Sequence, residues 1–138
     1  MALISQLVLL SVLSIPQSQP KPNFAGTWVP VEGVNPVVDL VVTQSSTLLT
    51  AQAGDEKGHG LEYSLDGVET QQKQGPVKSK AEWDGARLAV VNRFMNGTIV
   101  TSIQRQFWSL DASGRLVIET IRERDGQSST TKSIYKRR

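Results

Sequence analysis

The sequence contains no cysteine and a single histidine among 138 residues. Without cysteine the chain has no disulfide, no thiolate metal site and no cysteine nucleophile, and one histidine excludes a site built from several imidazoles. Charged residues make up 20% and hydrophobic residues 38% of the chain. That balance is typical of an ordinary globular domain rather than of a disordered chain.

The charges are unevenly distributed along the chain. Residues 1–20 carry none, residues 21–70 carry two basic and seven acidic side chains, and residues 71–138 carry thirteen basic and six acidic ones. A basic half could attract phosphate groups. Because its basic residues alternate with others, we favour acidic and basic strands lying side by side in one sheet. The basic tail 136–138 is predicted to fray and is too short for a nucleic-acid site, so we expect no nucleic-acid partner.

The N-terminus carries an apolar run at residues 7–15, about half the length of a membrane-spanning helix. A run of this length is typical of a signal-peptide core, and a proline-rich segment, 16–22, follows it. No basic residue precedes the run, so a first buried strand or helix is the alternative. We interpret residues 1–19 as a signal peptide and the start of a linker, and residues 20–138 as the folded domain. This predicts a secreted or periplasmic protein without stable membrane insertion.

Turn residues recur every 8–12 positions after the linker, which is the rhythm of an all-β domain. Asn-Gly and Asp-Gly pairs favour tight type I′ hairpins, and no stretch keeps the apolar spacing of a helix. The turn pairs are Asp66-Gly67, Asp84-Gly85, Asn96-Gly97, Ser113-Gly114 and Asp125-Gly126. The predicted strands are 24–30, 37–44, 47–53, 60–65, 68–73, 77–83, 87–95, 98–109, 115–124 and 128–136.

Ten short strands in one domain must close into a sandwich or a barrel. Consecutive hairpins without long crossovers favour a single antiparallel up-and-down β-barrel of about 8–10 strands. Closure also removes the exposed edges of an open sheet. The long strand from Thr98 to Leu110 is predicted to bend or to carry a bulge, as strands of a closing barrel do.

The first strand opens with Phe24-Ala-Gly26-Thr27-Trp28. This segment resembles the Gly-x-Trp start of the calycins, the superfamily of lipocalins and fatty-acid-binding proteins. The resemblance implies that Trp28 closes the barrel floor under a basic residue of a late strand, for which Arg122 and Arg124 are the candidates. Further segments are similar to small exported bacterial lipocalin-like proteins of unassigned function. They are Thr43-Gln44, Tyr63 to Gly67, Trp83 to Gly85 and Thr130 to Lys132.

Two departures from the superfamily bear on function. Residues 31–36 form a loop where fatty-acid-binding proteins carry a helix-turn-helix, and the paired Arg-x-Tyr near their C-terminus is absent. Carboxylate binding therefore does not follow by direct analogy.

The glycine-rich loop 54–60 contains the one histidine beside two carboxylates. Asp55, Glu56 and His59 could hold a metal or run acid–base chemistry. A solvated hairpin loop explains the same residues, and we favour that interpretation because a flexible loop rarely holds three ligands rigidly. No nucleophile motif is present. We therefore expect no enzyme, no catalytic residue, no metal and no cofactor.

The barrel is predicted to bind a small apolar or amphiphilic ligand between its walls. Aromatic side chains would line the cavity, and one or two arginines would orient the polar end of the ligand. The alternative is a structural or protein-interaction module whose barrel is filled by its own side chains. The candidate ligand-binding residues are Trp28, Tyr63, Trp83, Phe94, Arg105, Phe107, Arg122 and Tyr135.

Overall fold

The computed structural model describes residues 20–35, 37–54, 60–73 and 75–138. Within these ranges every predicted strand is present, with bounds that differ by a few residues. The strands are β1 (Gly26–Glu32), β2 (Leu40–Gln44), β3 (Leu48–Ala53), β4 (Leu61–Ser64), β5 (Thr70–Gln71), β6 (Val77–Asp84), β7 (Arg87–Asn96), β8 (Ile99–Leu110), β9 (Leu116–Arg124) and β10 (Gln127–Arg137). No helix in the described ranges is long and apolar enough to cross a membrane. The interpretation of residues 1–19 lies outside the described residues.

All ten strands belong to one antiparallel sheet in the order β4-β3-β2-β1-β10-β9-β8-β7-β6-β5. Each strand pairs with its neighbours in sequence, except that β4 and β5 do not pair with each other, and β1 also pairs with β10, where Trp28 faces Arg137. The sheet therefore curls until its ends, β4 and β5, meet. This confirms the all-β, up-and-down architecture as a nearly closed barrel.

The seam between β4 and β5 is closed by a side chain rather than by a strand ladder. The carboxamide of Gln72 accepts from the backbone N–H of Glu62 at 3.1 Å and donates to the carbonyl oxygen of Glu62 at 2.7 Å. Gln72 thus supplies the donor and the acceptor that a neighbouring strand would supply. A hydrogen bond between Thr70 and Ser64 lies beside it.

The barrel has one tall wall and one short wall. Strands β7–β10 contain 9 to 12 residues, whereas β2–β5 contain 2 to 6. Both walls reach the end of the barrel at which Trp28 lies, so the extra length of the tall wall overhangs the opposite end. The predicted bulge in the long strand is confirmed, because Thr101 of β8 is skipped between the pairs Phe94–Ser102 and Met95–Val100.

The predicted turns are confirmed by positive φ at glycine in each of them, and one is of the type I′ kind. At the β9–β10 hairpin, Asp125 has φ 52° and Gly126 has φ 75°. Two consecutive positive φ angles define that turn type. In the other predicted turns the positive φ falls on the glycine alone.

One end of the barrel is filled by a packed aromatic floor. Phe24, Trp28 and Trp108 are almost fully buried there, and Phe24 stacks on Trp83 with ring centroids 5.9 Å apart. The rings of Trp108 and Phe24 meet edge to face, with their centroids 5.8 Å apart. The Trp28 indole N–H donates to the carbonyl of Phe24 at 2.8 Å. The role predicted for Trp28 in closing the floor thus agrees with its position.

The arginine that covers Trp28 is not one of the two predicted. The guanidinium of Arg137 lies 4.3 Å from the Trp28 ring centroid and donates to the carbonyl oxygens of Ala25 and Asn23. Arg122 pairs with Ser129, further along the barrel. The expectation that the basic tail frays was also wrong, because Arg137 ends β10 and stacks on a buried ring. Gly26, with φ 136°, leaves room for this guanidinium, which is 3.2 Å from the position of a Cβ.

The folded barrel brings acidic side chains of the first half of the chain close to basic side chains of the second half. Among the described residues, three ion pairs join acidic residues before position 70 to basic residues after it: Glu62–Lys73 at 3.9 Å, Glu69–Arg93 at 2.8 Å and Asp39–Arg138 at 2.7 Å. All are substantially exposed. This agrees with the interpretation that the charges lie side by side on one sheet.

Candidate functional site

A cavity of about 470 Å³ occupies the barrel above the aromatic floor. Its walls come from β2–β4 on one side and β8–β10 on the other, and residues 33–35 of the β1–β2 loop border it. The small side chains of Ala51 and Ala53 face this space. The cavity does not extend to β6 and β7, whose inward side chains Ser79, Val90 and Asn92 are buried.

The tall wall presents three rows of side chains to the cavity, each row contributed by paired residues of β8, β9 and β10. The row nearest the mouth is Gln104, Arg122 and Ser129; below it lie Gln106, Thr120 and Thr131; nearest the floor lie Trp108, Ile118 and Ser133. The two upper rows are therefore entirely polar. In the lowest row, where the wall meets the floor, Trp108 and Ile118 are apolar and only Ser133 is polar.

The short wall across the cavity is largely apolar, with the Tyr63 phenol as its polar group. Leu40 pairs with Ala53, and Ala51 pairs with Leu61, so these four side chains form one continuous surface. None of the four has a side-chain hydrogen-bonding group. The cavity therefore has two chemically different faces.

A buried hydrogen-bond chain connects the barrel seam to the polar wall. The Gln72 amide donates to Ser79 at 2.9 Å, the Ser79 hydroxyl donates to Asn92 at 2.6 Å, and the Asn92 amide donates to Gln104 at 3.1 Å. Every buried side-chain polar atom in the described ranges has a partner. Since unpaired buried polar groups are costly, this chain fixes the orientation of Gln104 at the cavity wall.

Tyr63 lies on the cavity wall with 1% of its surface exposed. Burial raises the pKa of its hydroxyl to about 12, and the hydrogen bond with Asn92 opposes that shift. Tyr135, on the tall wall, has a pKa raised by burial as well. Both phenols are therefore neutral at physiological pH and can act as hydrogen-bond donors.

Arg122 lies at the mouth, facing the space between the walls. The residue is exposed, and no carboxylate in the described part of the chain forms an ion pair with it. A second, larger hollow of about 830 Å³ begins beside it, between the overhanging hairpins. Gln104, Arg122 and Ser129 line both spaces, so the hollow adjoins the cavity.

The structure brings part of the predicted residue set together. Tyr63, Arg122 and Tyr135 line the cavity, and Phe94 lies in the adjoining hollow. Trp28 belongs to the packed floor beneath the cavity. Trp83 lies at the closed end, where it stacks on Phe24 and faces a surface groove beside Lys21.

Two predicted ligand-binding residues lie on the outside of the barrel. Arg105 is 3.5 Å from Glu123 in an exposed ion pair, and Phe107 is covered by the Arg87 guanidinium at 4.3 Å. They alternate with Gln104, Gln106 and Trp108, which face inward. A side chain on the outer face cannot reach a ligand inside, so neither residue is part of this site.

Sequence reasoning missed the polar wall, although the relevant pattern was visible. Ser102, Gln104, Gln106 and Trp108 alternate along β8 and therefore share one face of the strand. Apolar Ile103 and Phe107 made the opposite face look equally suited to the interior. The fully buried Trp108 was the discriminating residue, because a large indole on the same face as two glutamines marks that face as the inner one.

The hypothesis about Asp55, Glu56 and His59 concerns residues outside the described ranges. Within those ranges no group of three histidine or acidic side chains is close enough to hold a metal ion. Protein-family models and curated proteins were compared with the chain, and none of them matches it.

Proposed function

We propose that this protein is an exported carrier that holds one small amphiphilic ligand inside its barrel, without covalent chemistry. The observation that carries the proposal is the open cavity of about 470 Å³ above a sealed floor. Ligand pockets in proteins typically measure about 300–1,000 Å³ and place a few polar groups among apolar ones. The size and the mixed lining of this cavity both fall within that description.

The cavity favours a carrier over a module with a filled barrel. A filled barrel would continue the packing of Trp28 and Trp108 upward with further large side chains. Instead, six of the eighteen residues that line the cavity are alanine, serine or threonine, and a space large enough for a ligand is left.

Arg122 is the group we assign to the polar end of the ligand. Its guanidinium faces the mouth without a carboxylate partner in the described ranges. Hydrogen bonds to charged groups contribute about 1.5–3 kcal/mol, more than neutral ones do. The ligand end nearest the mouth is therefore an anion or a strong hydrogen-bond acceptor.

Export and membership of the calycins are part of the same proposal. The apolar run at residues 7–15 supports export. Ten up-and-down strands with a Gly-x-Trp start, and an arginine stacked on that tryptophan, support the resemblance.

The first experiment is native mass spectrometry of the protein purified from its own exported fraction without detergent. We expect the mass of a processed chain together with a small molecule that is lost on denaturation. A bare chain that takes up no member of a lipid panel would contradict the carrier proposal and favour the interaction module. An unprocessed mass would contradict export.

Arg122 can be tested with the fluorescent anion 8-anilinonaphthalene-1-sulfonate as the probe. We expect Arg122→Gln to weaken binding about tenfold, since one charge-assisted contact is lost. Arg105→Gln, a substitution on the outer face of the same wall, is the matched control and should leave the affinity unchanged. Equal loss in both variants would mean that the probe binds outside the cavity.

A further inference from the structure

We infer that the ligand is facially amphiphilic: a flat, compact molecule with hydrogen-bonding groups along one face and an apolar opposite face. This inference rests on the proposed function and narrows it. A simple acyl chain is polar only at its head, so it is not the preferred ligand under this inference.

The first argument is the arrangement of polar groups along the depth of the cavity. Gln104, Arg122 and Ser129 form one row, and Gln106, Thr120 and Thr131 form the next. Successive inward residues of a strand are about 6–7 Å apart, so the rows extend polarity inward well beyond a single head group. Ser133 continues it one step further toward the floor.

The second argument concerns which polar groups on this wall are already satisfied. Gln106 donates to Thr120 and accepts from the Trp108 indole, and Ser133 donates to the Gly33 carbonyl. Ser129 and Thr131 have no side-chain hydrogen bond within the part of the chain that the structure describes. Their hydroxyls are exposed to the cavity and are hydrated when it is empty.

An alkyl chain laid against this wall would displace that water without replacing its hydrogen bonds, which is unfavourable. A ligand with hydroxyl or amide groups on the facing side would replace them. The same ligand needs an apolar reverse side, because Leu40, Ala51, Ala53 and Leu61 offer no hydrogen bond across the cavity. Only a molecule with two different faces matches both walls at once.

The test compares three carboxylate probes by isothermal titration calorimetry. Cholate carries three hydroxyls on one face of a rigid skeleton, lithocholate has the same skeleton with one hydroxyl, and laurate is a linear chain. We expect cholate to bind at least about tenfold more tightly than either of the others, because it alone replaces several hydrogen bonds of the wall.

A pair of variants locates the effect on the polar wall. Thr131→Val removes an inward hydroxyl at nearly constant volume and should weaken cholate binding about fivefold while leaving laurate unaffected. Thr130→Val, on the outer face of the same strand, is the control and should change neither cholate binding nor laurate binding. Ser129→Ala provides a second inward variant should Thr131→Val fail to fold.

The outcomes separate this inference from the proposed function. Laurate binding as tightly as cholate, or cholate binding that both inward variants leave unchanged, would overturn the inference while leaving a carrier. Binding of the anilinonaphthalene probe but of none of the three carboxylates would overturn it as well. Absence of any bound small molecule, both in the purified protein and with every probe, would overturn the proposed function itself.

Discussion

At the scale of single residues, burial determines what each side chain of the site can do chemically. Tyr63 is the clearest case, because it was predicted as a pocket residue and is almost fully enclosed. Desolvation disfavours its phenolate and raises the pKa to about 12. Arg105 was predicted by the same kind of reasoning, yet it lies on the exterior and pairs with Glu123.

The raised pKa of Tyr63 makes stability sensitive to alkaline pH. A tyrosine in the unfolded chain ionises near pH 10, so the folded state binds the proton of Tyr63 more tightly than the unfolded state does. The stabilisation that results is present in full below pH 10 and is lost as the pH rises toward 12. We expect the wild type to lose about 1 kcal/mol more stability than Tyr63→Phe between about pH 8 and pH 11. Urea unfolding of both proteins at the two pH values measures the difference in the free energy of unfolding. The contribution of Tyr135 cancels, because this residue is present in both proteins. Equal losses of stability in the wild type and in Tyr63→Phe would show that Tyr63 ionises as it does in the unfolded chain.

At the scale of elements, the barrel depends on a side chain where its shortest strand cannot close it. β5 has two residues, Thr70 and Gln71, and pairs with β6 alone. Gln72 then bonds both backbone groups of Glu62. Sequence alone identifies the strands on both sides of this seam, because each has its own turn and its own alternation. It cannot identify the closing contact, which joins segments that meet only once the sheet has curled.

Removal of the Gln72 carboxamide should open the seam. Gln72→Leu keeps the approximate size but leaves the Glu62 backbone groups and Ser79 without their partner, which should cost about 1–3 kcal/mol. Hydrogen exchange measured by mass spectrometry should show faster exchange in residues 60–66, with β9 unchanged. Lys73→Gln, which removes only the exposed contact with Glu62, is the control and should leave the exchange as in the wild type. Unchanged exchange in Gln72→Leu would mean that other contacts hold the seam closed.

At the scale of the whole molecule, the two ends of the described domain meet at the floor. Phe24 precedes β1 and contacts Trp83 and Trp108, which come from two different hairpins. Arg137, at the other end, bonds the carbonyls of Asn23 and Ala25. One packed cluster therefore joins the first strand, the last strand and the middle of the sheet. A substitution in this cluster should destabilise the whole barrel.

Phe24→Ala should destabilise the entire barrel by about 3–5 kcal/mol, because it empties a fully buried site. Phe107→Ala removes a side chain of the same type from the outer face, where Arg87 covers it. It should lower the free energy of unfolding clearly less. Thermal unfolding followed by circular dichroism and by tryptophan fluorescence tests both. We expect one cooperative transition, shifted far more in Phe24→Ala. Similar shifts in the two variants would contradict the assignment of the floor as the main core.

The sequence by itself determined the number of strands, their turns, their alternation and the position of Trp28 at the start of the barrel. These are local properties, since a hairpin is specified by a glycine at its turn and by alternation along its own strands. Only the tertiary structure decided which face of β8 points inward and that Gln72 closes the seam. It also decided that Arg137 rather than Arg122 or Arg124 covers Trp28, and that the cavity has one polar and one largely apolar wall. Each of these depends on pairing between strands distant in sequence, and the inside of a barrel is defined only when its ends meet.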